Sequence, residues 1–139
     1  MGKVLYGLGI AAIAVFACGW GPGKVHAGAD DEAARPEFYK TRVRPIFQEN
    51  CYRCHGGMNR RGGLSLATRA GILKGGKDGV VVVPGNPGAS LLVKLIRHEG
   101  SAPDPKPMPP KTKLSDADIA TVERWVRAGA VMPADAPPQ

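Results

Sequence analysis

The residues with the most distinctive chemistry lie in one short stretch, NCYRCHGGMNRR, at positions 50–61. Two thiols, an imidazole and a thioether, from Cys51, Cys54, His55 and Met58, fall within eight positions of it. Such groups bind transition metals, and a pair of neighbouring thiols also supports redox chemistry. The stretch is therefore compatible with a structural zinc, a dithiol redox centre or a covalently bound haem. The spacing of the residues indicates which of these three sites is expected.

The spacing C-x-x-C-H, formed by Cys51, Cys54 and His55, is typical of the attachment of a c-type haem. Cysteines three residues apart lie on the same side of a helical turn. Both thiols can therefore form thioethers with the vinyl groups along one porphyrin edge, while the adjacent imidazole binds the iron as proximal ligand. We predict one covalently attached haem c at this stretch.

The other two kinds of site fit the chain less well. A structural zinc site needs four ligands, and after residue 55 the chain has no further cysteine and, besides His98, no histidine. A thioredoxin-like dithiol is expected at a helix start in a βαβ unit, and the sequence has no such pattern. A disulfide between Cys51 and Cys54 would close a very short, strained loop.

The second axial ligand of the iron must come from elsewhere in the chain. Met58 follows His55 by three residues, which span at most about 10 Å and cannot pass round the macrocycle. Met108 lies far downstream in SAPDPKPMPPKTK, where prolines stiffen the loop and lower the entropy cost of holding a weak thioether ligand. We predict Met108 as the distal ligand. His98, which would give a bis-histidine iron of lower potential, is the alternative, and Met132 near the chain end is not expected to bind.

The elements that must position these residues are predicted to be mainly α-helical. A helix that starts at Pro36 leads into Cys51, and Pro45 should divide it, because proline disfavours helical angles at the preceding residue. A short extended or β piece is expected over Val80–Val83, between the haem motif and the Met108 loop.

Three further helices are predicted. One lies around 68–74 and ends at Gly75, and one lies in ASLLVKLIRHEG and ends at Gly100. The closing helix, in LSDADIATVERWVRAGA, has Ser115 as N-cap and Asp118 three residues later, which is a capping-box arrangement. The residues expected to face inward are Leu91, Leu92, Leu95 and Ile96 on the second helix and Ile119, Val122, Trp125, Val126 and Gly129 on the third.

The first 27 residues have the features of an export signal. Lys3 precedes an apolar run over 4–20, and Val25-His26-Ala27 is a small-residue cleavage pattern. An uncleaved membrane anchor and a lipidated Cys18, in the lipobox-like VFAC, are the alternatives. All three place the folded domain in the periplasm or another extracytoplasmic compartment, with membrane contact if the N-terminus is retained or lipidated.

The chain is basic, with a formal net charge of +7 over 139 residues. Removal of residues 1–27 would delete two of the 19 basic residues and none of the 12 acidic ones, so the net charge would fall to +5. A mildly basic exported domain can dock on the acidic surface of a redox partner, and Arg53, Arg60 and Arg61 lie beside the haem motif. No nucleic-acid-binding motif accompanies the charge, so nucleic acid is not an expected partner.

Several motifs resemble a known family. CYRCHGG, the PMPP loop and LSDADIATVERWVRAGA are similar to class I cytochromes c. Within that class, VRPIFQENCYRCHG, GGLSLATRAGILKGG, VVPGNPGASLLVKLIRHEG and MPPKTKLSDADI resemble the planctomycete-type cytochrome c domain, over roughly residues 37–130. The resemblance implies a class I cytochrome c fold around one haem, with Cys51 and Cys54 as thioether anchors and His55 and Met108 as axial ligands.

The same resemblance implies how two helices meet. In class I proteins the helix before the haem motif crosses the C-terminal helix. Phe38 or Phe47 is therefore expected to pack against Trp125 in this chain.

The sequence thus predicts a monohaem domain over residues 37–132, with a linker at 28–36 and a flexible tail at 133–139. With both axial positions filled, a substrate cannot reach the iron, so transfer of single electrons between redox partners is expected rather than catalysis. The domain would act as a carrier or as a subunit of a larger electron-transfer complex. The alternatives are a haem enzyme or gas sensor with a displaceable distal ligand, peroxidase-like or NO-binding, and a structural module whose haem holds the fold.

Overall fold

A computed structural model describes residues 27–99 and 106–134, together with Gly2. The described α-helices, in chain order, are α1 (Ala27–Ala33), α2 (Pro36–Phe38), α3 (Arg44–Asn50), α4 (Tyr52–His55), α5 (Arg69–Lys74), α6 (Leu91–Ile96) and α7 (Asp116–Arg127). A π-helical turn at Tyr39–Val43 joins α2 to α3, and a 3-10 turn lies at Arg61–Gly63. The predicted mainly α fold is confirmed.

The segment predicted as a linker, 28–36, is instead partly helical. Alanine is the strongest helix former, and Asp30 in the first turn of α1 interacts favourably with the helix dipole. Ala33 is fully buried, and an oxygen of the Glu32 carboxylate accepts a hydrogen bond from Arg124 on α7 at 2.7 Å. The helix α1 is therefore packed onto the fold rather than leading loosely into it.

Pro45 does not break the helix before Cys51. Arg44 has φ −57° and ψ −44°, which are helical angles, although Pro45 was expected to disfavour them. The wider π-helical turn just before Pro45 accommodates the proline, which lacks an N–H and whose ring crowds the preceding turn of a regular α-helix. The two predicted helical pieces are thus present but joined.

The longest described helix, α7, begins as predicted. The Ser115 hydroxyl accepts a hydrogen bond from the amide of Asp118 at 3.1 Å and donates one to its carboxylate at 2.6 Å. The buried residues of α7 are Ile119, Val122, Trp125 and Val126, four of the five predicted to face inward. This face packs on the π-helical turn, on α6 and on α1.

Trp125 is the centre of an aromatic cluster that joins α7 to the N-terminal helices. Its ring centroid lies 5.9 Å from that of Phe47 in an edge-on arrangement and 5.6 Å from that of Tyr39, and all three rings are buried. The indole N–H donates to the carbonyl oxygen of Val131 at 2.9 Å. Phe47 is thus the expected partner of Trp125, whereas Phe38 packs under the guanidinium of Arg124 instead.

Burial in this cluster also changes the pKa of the Tyr39 hydroxyl. The pKa of the Tyr39 hydroxyl is raised far above its usual value, first by desolvation and then by its hydrogen-bonded neighbour Tyr52. Tyr39 therefore stays neutral at any physiological pH.

The extended β piece predicted over Val80–Val83 is not a strand. Val81 accepts a backbone hydrogen bond from Leu92 at 2.8 Å, and the amide of Val83 donates to the Ser90 hydroxyl at 2.9 Å. These groups are thus paired with the start of α6 rather than with another strand. The described ranges contain one isolated bridge, between Gly76 and Gly79, and no β-strand.

Of two short helices whose ends were predicted, one ends at the predicted residue and the other ends earlier. The helix α5 ends as predicted at Gly75, where φ is 75° and a Cβ would lie 2.1 Å from the carbonyl oxygen of Gly79. The helix α6 ends at Ile96, earlier than predicted, because His98 adopts the left-handed conformation with φ 57°. Gly100, the predicted stop, lies outside the described residues.

The predictions for the two ends of the chain fall largely outside the described residues. These are the export signal or anchor at 1–27 and the flexible tail at 133–139. In the part of the chain that the structure does describe, no helix has both the length and the apolar character needed to cross a membrane.

Candidate haem-binding site

One turn of backbone after α3 holds the two cysteines and the histidine. The amide of Cys51 donates to the carbonyl oxygen of Phe47 at 2.8 Å, and Cys51 is also the N-cap residue of α4. The carbonyl oxygen of Cys51 accepts the amides of Cys54 at 3.0 Å and His55 at 2.8 Å. The motif is therefore a compact turn fixed to α3, and both of its thiols are free.

Cys51, Cys54 and His55 line a cleft with a cavity volume of about 250 Å³. Met108 lines the same cleft, although it follows His55 by 53 residues. The rest of the lining is mostly apolar and includes Leu64, Leu66, Val81, Leu92, Leu95 and Ile96. The fold thus brings all four predicted haem-binding residues to one apolar cleft.

The environment of His55 favours metal binding. Burial lowers the pKa of its imidazole below the usual value, and the nearby carbonyl groups of Arg61 and Leu64 partly offset this effect. The ring is therefore neutral at pH 7, which is the form whose nitrogen lone pair binds metals. Its Nδ1 is buried and has no hydrogen-bond partner among the described residues.

The environment of Cys51 does not favour redox cycling. Burial raises the pKa of its thiol to about 12, and the neighbouring Cys54 contributes to the rise. A thiol with this pKa carries almost no thiolate at neutral pH, and the thiolate is the form that attacks disulfides and binds zinc. The surroundings suit a sulfur that is held as a neutral thioether.

Within residues 27–99 and 106–134, no three His, Cys, Asp or Glu side chains are grouped as they would be around a metal ion.

The Met108 loop is anchored to α6 by its backbone. The amide of Met108 donates to the carbonyl oxygen of Leu95 at 3.0 Å, at the end of that helix. Pro109 and Pro110 follow it along the cleft wall. A methionine with a fixed amide and stiff neighbours loses little further entropy when its side chain is held in one position.

The other methionines and the alternative histidine lie elsewhere. Met58 is 99% exposed, and Met132 is buried in the hydrophobic core away from the cleft lining. His98 does not line the cleft either; its Nε2 is buried without a hydrogen-bond partner among the described residues. Among the methionines of the described ranges, Met108 is thus the one that lines the cleft together with His55.

Gly56 has a local structural reason to follow His55. A Cβ at this position would lie 2.5 Å from the carbonyl oxygen of Tyr52, closer than real Cβ atoms approach. Glycine is therefore needed for the chain to turn away directly after α4. The amide of Leu66 then returns to the carbonyl oxygen of His55 at 2.7 Å, which closes the loop behind the motif.

The three arginines beside the motif have different surroundings. The Arg60 Nε donates to the carbonyl oxygen of Gly57 at 3.1 Å, and the carbonyl oxygen of Arg53 accepts from Asn59 at 3.0 Å, so both residues help to fold this loop. All three arginines are exposed, and Arg61 also lines the cleft. Their suggested role in docking stays a prediction.

Sequence reasoning missed a group of charged residues at the cleft. Arg61, Lys77 and Lys106 line it together with one carboxylate, Asp78, whose oxygen lies 3.4 Å from the Lys77 ammonium. Arg61 was already singled out beside the haem motif, whereas Lys77 and Lys106 come from separate loops with no shared spacing, so the sequence carried no signal for these two. The lining therefore has an excess of positive charge, which suits a cofactor that carries carboxylate groups.

A mainly α fold in which a C-x-x-C-H turn and a proline-flanked methionine line one apolar cleft is consistent with a cytochrome c-like fold. Residues 51–112 match the family model described as Planctomycete cytochrome C, which supports a planctomycete-type cytochrome c domain in this part of the chain. The matched span includes Cys51, His55 and Met108. No curated protein and no solved structure matches the chain.

The residues of the cleft fit haem c, the cofactor that this family implies. They supply two thiols at the attachment spacing, a neutral imidazole with an unused buried nitrogen, a thioether and an apolar lining. Thioether and imidazole are the axial ligand pair of many c-type haems.

Proposed function

We propose that the protein is an exported carrier of single electrons that holds one haem c. Cys51 and Cys54 would anchor the haem by thioether bonds, and His55 and Met108 would be its axial ligands. The observation that carries this proposal is that His55 and Met108 line one cleft despite their separation in sequence. When bound, haem c supplies an iron that cycles between ferrous and ferric states.

The side chains of the cleft would support electron transfer rather than catalysis. With the His55 imidazole and the Met108 thioether both binding the iron, no open place would remain for a substrate. Leu64, Leu66 and Leu92 exclude water from the cleft wall and so help to set the reduction potential. A proline-flanked Met108 with a fixed amide keeps the same position in both oxidation states, so that little must rearrange when an electron moves.

Export and partner choice are parts of the proposal that rest on the sequence. The apolar run and cleavage pattern at 1–27 support a periplasmic or other extracytoplasmic location. Arg53, Arg60 and Arg61 are exposed near the motif, which supports docking on the acidic surface of a redox partner protein. The domain would serve as a free carrier or as the electron-transfer subunit of a larger complex.

Carbon monoxide distinguishes a carrier from a haem enzyme or gas sensor. The ferrous protein is expected to bind carbon monoxide slowly and incompletely at pH 7, because the gas must first displace the Met108 thioether. The measurement is the Soret absorption change after mixing in a stopped-flow instrument. Rapid and complete binding would refute the carrier proposal and favour an enzyme or sensor with an open distal position.

A further inference from the structure

The last turn of α6 is tied to α7 by a charge pair. Arg97, the residue just after α6, donates from its Nε to a carboxylate oxygen of Glu123 at 2.5 Å. The Glu123 side chain is only 13% exposed and that of Arg97 is 38% exposed. The pair is therefore partly shielded from solvent and fixes the end of one helix against the middle of another.

This same turn holds the backbone of Met108. The carbonyl oxygen of Leu95 accepts two amides, that of His98 at 3.1 Å and that of Met108 at 3.0 Å. Arg97 lies between Leu95 and His98 in the chain. A movement of Arg97 would therefore change the position of the acceptor that fixes the Met108 amide.

The turn would not keep its shape unaided. His98 has φ 57°, a left-handed conformation that is unfavourable for a non-glycine residue. Its Nε2 is also buried without a hydrogen-bond partner among the described residues, which is a further cost. Such a strained turn persists only where neighbouring contacts hold it, and the Arg97–Glu123 pair is one of the contacts that join the end of α6 to the long helix α7.

We propose that Arg97 and Glu123 are positioning residues for Met108: their pair fixes the Leu95 carbonyl and thereby keeps the thioether at the distal side of the cleft. This inference rests on the proposed function, in which Met108 is an axial ligand. Neither residue lines the cleft, so both act through Leu95 rather than on the cofactor.

Competition by added imidazole measures how firmly Met108 is held. Imidazole can bind the ferric iron only when the thioether has left, so its apparent dissociation constant reflects the equilibrium between bound and released Met108. Glu123→Gln keeps the size of the side chain and removes its charge. The imidazole dissociation constant of this variant is expected to fall by about threefold to tenfold, as for the loss of a partly exposed charge pair.

Three further variants keep the test independent of a single substitution. Arg97→Gln breaks the same pair from its other side and is expected to have a similar effect, and the double variant should bind imidazole no more tightly than either single one. Arg97→Lys retains the charge but not the Nε donor, so its dissociation constant should lie between those of Arg97→Gln and the wild-type protein.

Matched controls separate positioning from general loss of stability. Glu99→Gln removes the exposed second carboxylate, 3.5 Å from the Arg97 guanidinium, and should leave imidazole binding unchanged. Glu32→Gln breaks a second ion pair of α7, that of Arg124 with α1, whose carboxylate is more exposed than Glu123 and which lies away from the Met108 loop. This variant should lower the thermal midpoint without changing the imidazole dissociation constant.

The outcomes distinguish this inference from the proposed function. A wild-type ferric protein without the thioether-to-iron absorption would overturn both, because Met108 would then not be a ligand. If that absorption is present but Glu123→Gln and Arg97→Gln bind imidazole like the wild type, the positioning role is refuted and the proposed function stands. An equal effect of Glu32→Gln would also refute it, since any loosening of α7 would then suffice.

Discussion

Replacing Met108 by alanine is expected to remove the thioether-to-iron absorption of the ferric protein and to lower its reduction potential. A sulfur ligand stabilises ferrous iron, and axial ligands span about 0.8 V of potential, so a fall on the order of 0.1–0.3 V is expected. The ferrous variant should also bind carbon monoxide rapidly, because the distal position is open. Optical spectra and protein-film voltammetry measure these changes.

Met58→Ala is the matched control for this substitution. It removes the same side chain from a position that is 99% exposed and outside the cleft. Spectrum and potential should therefore stay as in the wild-type protein. A Met108→Ala protein that keeps the thioether absorption would show that Met108 is not the distal ligand. Loss of the low-spin ferric spectrum in His98→Ala would instead favour the bis-histidine alternative.

Replacing Trp125 by alanine is expected to cost about 3–5 kcal/mol of unfolding free energy, the usual range for a buried tryptophan. The ring is fully buried between Phe47 and Tyr39 and its N–H is bonded to Val131, so the change leaves both a cavity and an unpaired carbonyl group. Denaturant unfolding of the holoprotein, fitted for both midpoint and slope, measures the loss.

Trp125→Phe is the graded control, because it keeps an aromatic ring but not the hydrogen bond. We expect a loss of about 1–2 kcal/mol, from the bond and the smaller ring. Phe47 contacts Trp125, and its carbonyl oxygen also holds the amide of Cys51. The cluster is thus linked to the haem motif by one residue. A loss below about 1 kcal/mol in Trp125→Ala would contradict this account of the core.

Local sequence signals predicted much of the fold. Ser115 and Asp118 predicted the start of α7, Gly75 predicted the end of α5, and the spacing of Ile119, Val122 and Trp125 predicted the buried face of α7. Each of these signals depends on neighbours within one or two helical turns. They could therefore be read from the sequence without knowing the tertiary structure.

The wrong predictions have both local and tertiary causes. Arg44 stays helical because the π-helical turn accommodates Pro45, and Val81 is paired with the start of α6 rather than with a strand. The packing of α1 onto α7 is likewise a tertiary contact, whereas the early end of α6 at Ile96 goes with the left-handed backbone of His98. A propensity-based prediction does not contain that information.

Some residues of the candidate site could likewise be predicted from the sequence, and others could be found only in the folded structure. The C-x-x-C-H spacing predicted three residues directly, and Met108 followed from distance and from the prolines around it. The charges of Lys77 and Lys106 at the cleft had no such signal. The Arg97–Glu123 pair joins residues 26 positions apart, and only the packing of α6 on α7 brings them together.

The central claim is that Cys51 and Cys54 bind one haem covalently. The most direct test is the intact mass of the protein purified from a host that attaches c-type haems, measured under denaturing conditions. We expect the mass of the chain from residue 28 onward plus that of one haem, with no thiol at residue 51 or 54 that can be alkylated. A polypeptide mass without haem, carrying two thiols that react with iodoacetamide, would contradict the account.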